Sequence, residues 1–418
     1  MSENHRVVVT GLGAVTSLGN NVADSWQGLL NGCSGIGVIT QFDASDYKCR
    51  IAGEVKGLDV AVLLGDKEAH RMDRFCQFAV VAAEEAILQS GVKDAANFDC
   101  LRAGVLVSAG IGGITTMTEQ TAVLLKDGPG RVSPLTVPMM IADMGSGYLA
   151  IRHGFRGPNF GIVSACASGL HSIGEAFWMI CRGDADVMLC GGAEAGVVTL
   201  GQAGFSTMRA LCTSHNDDPE HACRPFDASR DGFVPAEGAG VLVLEDEAHA
   251  RARGAEILAE VVGYGLSGDA YHITAPRTDG SGAAQAIRMA FAHSGRSIEE
   301  LDYVNAHGTS TPLNDKMETA ALKDVLGEKA YHVPVSSTKS MTGHMLGAAG
   351  GFESIVCVKA ICEGIVPGTM NYENPDPDCD LDYVPNCARE RKVKLALKTN
   401  FGFGGHNAAV LFAKYESR

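Results

Sequence analysis

Cys166 stands where an apolar, β-prone run of the sequence passes into a run with helical spacing. Small residues surround it between Gly161 and Leu170, and apolar positions then recur at helical intervals as far as Phe177. This pattern predicts a strand, a sharp turn and a helix, with Cys166 at the helix N-terminus. Unpaired N–H groups and the positive dipole end at that position favour thiolate over thiol. Taken alone, the segment fits a nucleophile and a space-filling buried thiol equally well.

Two histidines and a glycine-rich segment could complete such a site. His307 follows the strand-like residues 303–306 in a loop of small and hydroxyl residues, and His344 follows a glycine before a small-residue helix. Loops at strand ends often carry function, although a single buried histidine is more often structural. The segment from Thr399 to Asn407 exposes backbone amides near Phe403 and could supply an oxyanion donor. A glycine hairpin turn is the alternative.

The elements that position these residues read as an internal duplication. Val7–Gly13 and Ala259–Gly265 each read as a strand running into glycines, and strands alternate with helices after both. Such alternation predicts parallel sheets covered on both faces. We therefore expect two similar α/β halves, residues 1–254 and 255–418. The third glycine of a dinucleotide-binding motif is replaced by Thr16, so Gly11 and Gly13 are expected to serve a tight turn.

Composition narrows the function classes. The 418 residues carry a formal net charge of -15, which argues against nucleic acid as a partner. The thirteen cysteines are odd in number and include no Cys-x-x-Cys pair, so we expect reduced thiols, no metal site and no cofactor. No targeting or membrane segment is evident, and Met1–Arg6 leads directly into the first strand-like run. The expected location is cytoplasmic, in a bacterial cytosol or as a mature organellar form.

The sequence contains a possible docking surface for an acidic protein despite the negative net charge. Lys67, His70, Arg71 and Arg74 are spaced to cluster on one helix face, and Arg131 and Arg209 are further candidates. Taken singly, each of these residues is better explained as an ordinary solvated charge.

Four motifs in fixed order make the chain resemble a known family. They contain Cys166 in Ala-Cys-Ala-Ser-Gly, His307 in Asn-Ala-His-Gly-Thr-Ser-Thr, Lys339 and His344 in Lys-Ser-Met-Thr-Gly-His, and Phe403 in Gly-Phe-Gly-Gly. The chain resembles the condensing enzymes, specifically the type II β-ketoacyl-[acyl-carrier-protein] synthases of dissociated fatty acid synthesis, over essentially its whole length. The resemblance implies the thiolase-like fold, two similar halves in a layered α-β-α-β-α arrangement, and a homodimer.

The resemblance also implies roles for the site residues. Cys166 would take an acyl group from acyl carrier protein, and malonyl-carrier protein would then lose CO2 to give an attacking enolate. Neutral imidazoles at His307 and His344 would stabilise that enolate. The backbone N–H groups of Cys166 and Phe403 would form the oxyanion hole, with the Phe403 side chain as a gate. Lys339 would pair with Glu353 in a structural role, or tune protonation.

Further roles follow from the same resemblance. Thr309 and Thr311 would hydrogen-bond the pantetheine arm, and Ile111 would limit chain length at the pocket floor. The docking surface for acyl carrier protein would comprise Lys67, Arg71, Arg74, Arg131 and Arg209.

Single residues distinguish this chain from enzymes and partner proteins with related activities. A biosynthetic thiolase needs a second cysteine in its C-terminal glycine motif, where this chain has none, and a non-catalytic chain-length partner typically lacks the cysteine that Cys166 supplies. A ketosynthase of a polyketide or specialised lipid pathway would have the same site chemistry, so that alternative stays open. The preferred acyl length is open as well.

Overall fold

The computed structural model describes residues 5–417, so the outermost residues of the two predicted halves, 1–4 and 418, lie outside the described residues. The strands are β1 (Val7–Val15), β2 (Gly37–Val38), β3 (Ile51–Ala52), β4 (Ala103–Ser108), β5 (Val187–Glu194), β6 (Gly238–Asp246), β7 (Ala259–Gly268), β8 (Tyr303–Asn305), β9 (Val335–Ser336), β10 (Ile365–Val366), β11 (Arg389–Glu390), β12 (Leu395–Gly402) and β13 (His406–Ala413). The helices are α1 (Val22–Leu30), α2 (Val60–Leu64), α3 (Asp66–Ala69), α4 (Arg74–Ser90), α5 (Ile114–Asp127), α6 (Thr136–Met140), α7 (Met144–His153), α8 (Ser168–Cys181), α9 (Thr199–Thr207), α10 (Glu247–Ala252), α11 (Ser281–Ser294), α12 (Pro312–Leu326), α13 (Lys339–Thr342) and α14 (Ala349–Glu363). None of these described helices is long and apolar enough to cross a bilayer.

The two halves repeat one strand order. In the first half, Asn159 bridges to β4 at the outer edge, and β5, β6 and β1 follow inward. In the second half the order is β9, β8, β12, β13 and β7. The corresponding strands β5 and β12 are parallel to their outer neighbours, β4 and β8. The corresponding strands β6 and β13 are antiparallel to the strands on both sides. The predicted fold of two similar α/β halves is confirmed, whereas the boundary at residue 254 stays a prediction.

Alternating side chains along the strands build the layers. Leu242 and Leu244 of β6 enter a central core with α8 and α14, whereas Val241 and Val243 enter an outer core with α4. The strand β13 divides its side chains in the same way between the central core and a second outer core with α11. This period of two places helices on both faces of each half, as the α-β-α-β-α arrangement requires. The described strands of the two halves also join directly, because β1 pairs with β7 over three residues.

Gly11 and Gly13 lie inside β1 and not in a tight turn, so the expectation from the sequence was wrong. The paired glycines of β7 likewise lie inside their strand. A Cβ atom on Gly13 would lie 1.8 Å from the carbonyl oxygen of Ala82 in α4. A Cβ atom on Gly265 would lie 2.0 Å from the carbonyl oxygen of Ala286 in α11. Each glycine therefore allows a covering helix to approach its strand closely.

Candidate active site

Cys166 lies in a single 3-10 turn, Ala165–Ala167, that leads into α8. The preceding residue, Ala165, has φ of 51°, a left-handed conformation that costs energy for a residue with a side chain. The elbow and the helix are as predicted, but residues 161–164 form no strand. The turn presents Cys166, which is 8% exposed, to a cavity of about 480 Å³.

A matching turn in the second half explains several of the small residues around Cys166. Leu346 has φ of 48° and opens the 3-10 turn that leads into α14. A Cβ atom on Gly169 would lie 2.6 Å from the carbonyl oxygen of Gly347, and one on Gly350 would lie 2.4 Å from the amide nitrogen of Leu170. The small residues thus let the first turns of α8 and α14 touch.

The electrostatics of Cys166 differ from the expectation. Burial raises the pKa of the Cys166 thiol to about 12, although the ammonium group of Lys339 acts in the opposite direction. The sequence pattern predicted a favoured thiolate, and this was wrong because the low-dielectric surroundings outweigh the favourable charge. The resting side chain is a neutral thiol, so attack on a carbonyl carbon must be coupled to loss of its proton.

His307 and His344 line the same cavity as Cys166 and touch each other. Both are 2% exposed, and their ring centroids lie 5.3 Å apart at an interplanar angle of 83°. Burial, followed by the charge of Lys339, lowers the pKa of both imidazoles well below the ordinary value. Each ring is therefore neutral near pH 7 and has one N–H to donate.

Asn400 sets the tautomer of His307. Its Nδ2 atom lies 3.0 Å from His307 Nδ1 and 3.4 Å from Glu353 Oε2. A carboxylate oxygen can only accept, so the atom facing both groups is the amide nitrogen, which donates to Nδ1. The hydrogen of His307 consequently lies on Nε2. On the second ring, His344 Nδ1 is buried without a hydrogen-bond partner within residues 5–417.

The backbone at His307 is held from two sides. The N–H groups of His307 and Gly308 donate to the two oxygens of Glu318, at 2.8 Å and 2.7 Å. On the other side, Lys339 Nζ donates to the His307 carbonyl oxygen at 2.6 Å and to Glu353 Oε1 at 2.5 Å. The structure thus brings together the predicted pair of Lys339 and Glu353, behind the cavity wall and against His307.

Sequence reasoning missed Lys398, the second ammonium group of a buried charge cluster that also contains Lys339 and Glu353. Lys398 Nζ lies 2.7 Å from Glu353 Oε2, and both side chains are at most 1% exposed. Three consecutive polar residues, Lys398, Thr399 and Asn400, are fully buried in β12. A polar triplet inside an otherwise apolar strand was the available signal. Glu318 gave none, because it sits among polar residues of α12 and reads as part of a surface helix.

The backbone amides of Cys166 and Phe403 are free to bind an oxyanion. Neither amide donates a hydrogen bond to another atom of residues 5–417. The end of β12 lies against the elbow, since a Cβ atom on Gly402 would be 2.4 Å from the Ser164 carbonyl oxygen and 3.3 Å from Cys166 N. Glycine at this position lets the two amides approach. The half-buried Phe403 side chain lines the cavity.

The predicted substrate residues line the same cavity. Thr309 and Thr311 do so with their hydroxyl oxygens 2.9 Å apart. Ile111 lines it as well, and its loop is held by the buried carboxylate of Glu194, which accepts from the N–H groups of residues 110–112 and of Gly347. Burial raises the pKa of Glu194 to about 7. Sequence reasoning missed this carboxylate, which ends β5 after a run of small apolar residues.

The five basic candidates differ in their surroundings. Arg209 lies at the cavity, whereas Lys67, Arg71 and Arg131 are exposed elsewhere and do not line it. Arg74 corrects the prediction, because its guanidinium binds the buried carboxylate of Glu237 at 2.7 Å and 3.0 Å. The single predicted helix face is also absent. The short α3 ends at Ala69 and α4 begins only at Arg74.

One group of potential metal ligands occurs within residues 5–417. The ligating atoms of Cys212, His215 and Asp231 lie within 4.8 Å of one another. The Arg224 guanidinium donates to His215 Nε2 at 3.1 Å, so the ring hydrogen lies on Nδ1, the nitrogen 3.9 Å from Cys212 Sγ. That nitrogen has no lone pair for a metal. The sequence-based expectation of no metal stays a prediction.

A thiol at a helix entrance, two neutral imidazoles and two free amides are the groups that acyl transfer through a thioester requires. Comparison with known proteins agrees with this class. Residues 4–250 match the family model described as Beta-ketoacyl synthase, N-terminal domain, and residues 258–373 match the corresponding C-terminal domain. The chain belongs to the β-ketoacyl synthase family.

Relatives resemble the chain over its full length. A protein named 3-oxoacyl-[acyl-carrier-protein] synthase 2 from Synechocystis sp. is 54% identical over 415 residues, which cover 99% of each chain. A protein of the same name from Staphylococcus aureus is 49% identical over 417 residues, covering 100% of each.

Solved structures share the fold. A β-ketoacyl synthase from Burkholderia phymatum has a TM-score of 0.90 at 32% identity, covering 99% of this chain and 100% of its own. A type II polyketide ketosynthase assembly that contains its acyl carrier protein has a TM-score of 0.92 at 35% identity, with the same coverage.

Proposed function

We propose that this chain is a 3-oxoacyl-[acyl-carrier-protein] synthase of the fatty acid elongating type, which joins an acyl group to two carbons of a malonyl group. The observation that carries the proposal is the single cavity lined by the Cys166 thiol and by two neutral imidazoles in edge-to-face contact. The full-length identity of 54% with a protein of that name supports the same substrate class.

The first step transfers the acyl group from the carrier thioester to Cys166. The sulfur of Cys166 attacks the carbonyl carbon, and the negative charge that develops on the carbonyl oxygen is received by the amides of Cys166 and Phe403. Collapse breaks the bond to the pantetheine sulfur, and the proton of the Cys166 thiol leaves on the pantetheine thiol. Because burial keeps the resting group a thiol, its reaction with oxidants is slow.

The second step releases CO2 from malonyl-carrier protein. The bond between the carboxylate carbon and the malonyl α-carbon breaks, and its electron pair forms an enolate on the thioester. Hydrogen bonds from His307 Nε2 and from His344 stabilise the enolate oxygen. Neutral imidazoles suit this task because they donate a hydrogen bond without drawing the malonyl carboxylate into an ion pair.

The third step forms the new carbon–carbon bond. The enolate carbon attacks the Cys166 thioester, the oxyanion again lies at the two amides, and collapse expels the Cys166 thiolate. Uptake of one proton from solvent restores the thiol. The balanced reaction consumes acyl-carrier protein, malonyl-carrier protein and a proton, and yields 3-oxoacyl-carrier protein, CO2 and free carrier protein.

Acyl carrier protein is the proposed partner, and its docking includes Lys67, Arg71, Arg131 and Arg209 but not Arg74. A carrier with an acidic surface would meet these exposed cations although the whole chain is negative. The carrier protein present in a similar ketosynthase structure supports this choice.

A homodimer and a cytoplasmic location complete the proposal. The outer edge of the first half ends at Asn159, beside the exposed apolar side chains of Phe160 and Val163. A second copy that covers this edge would satisfy both the unpaired backbone and the apolar surface. Light scattering of the purified protein tests the oligomeric state.

The test is a product assay on the purified chain with a series of acyl-carrier proteins and malonyl-carrier protein. We expect 3-oxoacyl-carrier proteins two carbons longer than each accepted primer, and none with the Cys166→Ala variant. Repeated extension without removal of the keto group would favour the polyketide alternative, which resembles this chain at 35% identity. Failure to extend any primer would contradict both.

A further inference from the structure

Lys398 in β12 carries a buried ammonium group that the three proposed steps do not use. Its Nζ atom lies 2.7 Å from Glu353 Oε2, 3.2 Å from the carbonyl oxygen of Asn305 and 3.1 Å from that of Ala306. Three acceptors match the three donors of an ammonium group. A fully buried charge is costly unless hydrogen-bond acceptors and a counter-charge surround it. These contacts therefore stabilise Lys398 as a buried ammonium ion.

Lys339 and Lys398 both donate hydrogen bonds to consecutive backbone carbonyl groups. Lys398 holds the carbonyl oxygens of Asn305 and Ala306, and Lys339 holds that of His307, the next residue. Both ammonium groups rest on the two oxygens of Glu353. Three successive carbonyl groups that end at His307 are therefore fixed by two cations on one carboxylate.

We propose that Lys398 is a positioning residue for the decarboxylation step, whose ammonium group fixes the strand end that carries His307 and adds positive potential at the two imidazoles. The inference rests on the proposed function. The added potential favours the neutral form of both rings, and it favours negative charge on the enolate oxygen that they bind.

The surroundings allow Lys398 to act as a titrating group in its own right. Burial lowers the pKa of Lys398 to about 8, against the raising effect of Glu353. The titratable and charged groups packed around it are Glu353 and Cys357 of α14, Lys339 of α13, Glu318 of α12, His307 and His344. Burial raises the pKa of Cys357 to about 12, so this thiol stays neutral when Lys398 loses its proton.

The experiment separates the two half-reactions in the Lys398→Met variant. Acylation of Cys166 is followed by intact mass with acyl-carrier protein alone, and CO2 release is followed with malonyl-carrier protein. At about pH 7 we expect CO2 release to fall by at least about tenfold, and acylation to change by less than about twofold. The control is Lys394→Met, an exposed lysine directly before β12, which should match the wild type in both.

The pH profile provides a readout that a purely structural role would not change. Wild-type CO2 release should fall as the pH rises from about 7 to about 9, because the ammonium form is lost through its pKa, whereas Lys398→Met should lack this fall. The proposal would be overturned if Lys398→Met released CO2 at the wild-type rate, or if it lost acylation and CO2 release equally. If the variant does not fold, the wild type alone still tests the proposal. A rate of CO2 release that does not change between about pH 7 and about pH 9 would overturn it. A wild-type chain that neither releases CO2 nor extends a primer would refute the proposed function instead.

Discussion

Replacing Glu353 by glutamine probes the charge cluster behind His307. In the wild type one carboxylate faces the ammonium groups of Lys339 and Lys398, and all three side chains are at most 1% exposed. The Glu353→Gln variant keeps the shape and removes the only charge that these two cations share. Removal of one partner from a buried ion pair costs about 3–5 kcal/mol, because the remaining charge is left uncompensated.

The size of this effect can be converted into a melting temperature. Unfolding entropy near the transition is about 2.1 cal/mol/K per residue, so 418 residues give about 0.9 kcal/mol/K. A loss of about 4 kcal/mol then lowers the Tm by about 4–5 °C. The measurement is differential scanning calorimetry at one protein concentration and one scan rate. The control is Glu390→Gln, an exposed carboxylate of β11, which should change the stability by less than about 0.5 kcal/mol.

Two further results would refute or support the reasoning. The double variant Glu353→Gln/Lys398→Met restores the original net charge of the cluster, so it should be more stable than Glu353→Gln alone. The deficit of the single variant should also shrink as the pH rises, because Lys398, whose pKa is lowered by burial, loses its proton and no longer needs a counter-charge. A Tm within about 1 °C of the wild type, or a deficit independent of pH, would show that the cluster does not act through charge.

Three other predictions concern the cavity and its mouth. Gly402→Ala should lower kcat by about 100-fold without unfolding the protein. The reason is that its Cβ would lie 2.4 Å from the Ser164 carbonyl oxygen, beside the two oxyanion amides. An unchanged kcat would exclude that geometry. Alkylation of Cys166 by iodoacetamide should keep rising about tenfold per pH unit above about pH 7, given its raised pKa, and a plateau near about pH 8 would contradict the neutral thiol. Charge reversal at Arg71 or Arg209 should raise the KM for carrier-bound substrates and spare small thioester analogues; equal effects on both substrates would exclude docking there.

Much of the fold was predictable from local pattern. Apolar runs that lead into glycines mark strands such as β1 and β7, and these glycines reveal the repeat. Whether those glycines turn the chain or admit a helix depends on α4 and α11, which local sequence does not place. The pairing of β1 with β7 likewise joins residues about 250 positions apart in the chain.

The site was predictable where a residue and its neighbours along the chain carry the signal. Cys166 and His307 stand out in loops of small residues, and both reach the cavity. Arg74 reads as a solvated charge because its partner Glu237 lies 163 residues away. Lys398 shows only as a polar residue in a strand, and its acceptors come from the end of β8, from Ala306 directly after it and from α14. The Cys166 thiol was assigned the wrong charge state because burial, which raises its pKa, is a property of the whole fold.

Intact mass spectrometry of the chain with acyl-carrier protein, before and after malonyl-carrier protein, tests the central claim most directly. We expect a gain of one acyl group, located by peptide mapping on Cys166 among the thirteen cysteines. Addition of malonyl-carrier protein should then remove the acyl group as a 3-oxoacyl product two carbons longer. An acyl group on another cysteine, or one on Cys166 that malonyl-carrier protein does not discharge, would contradict the account.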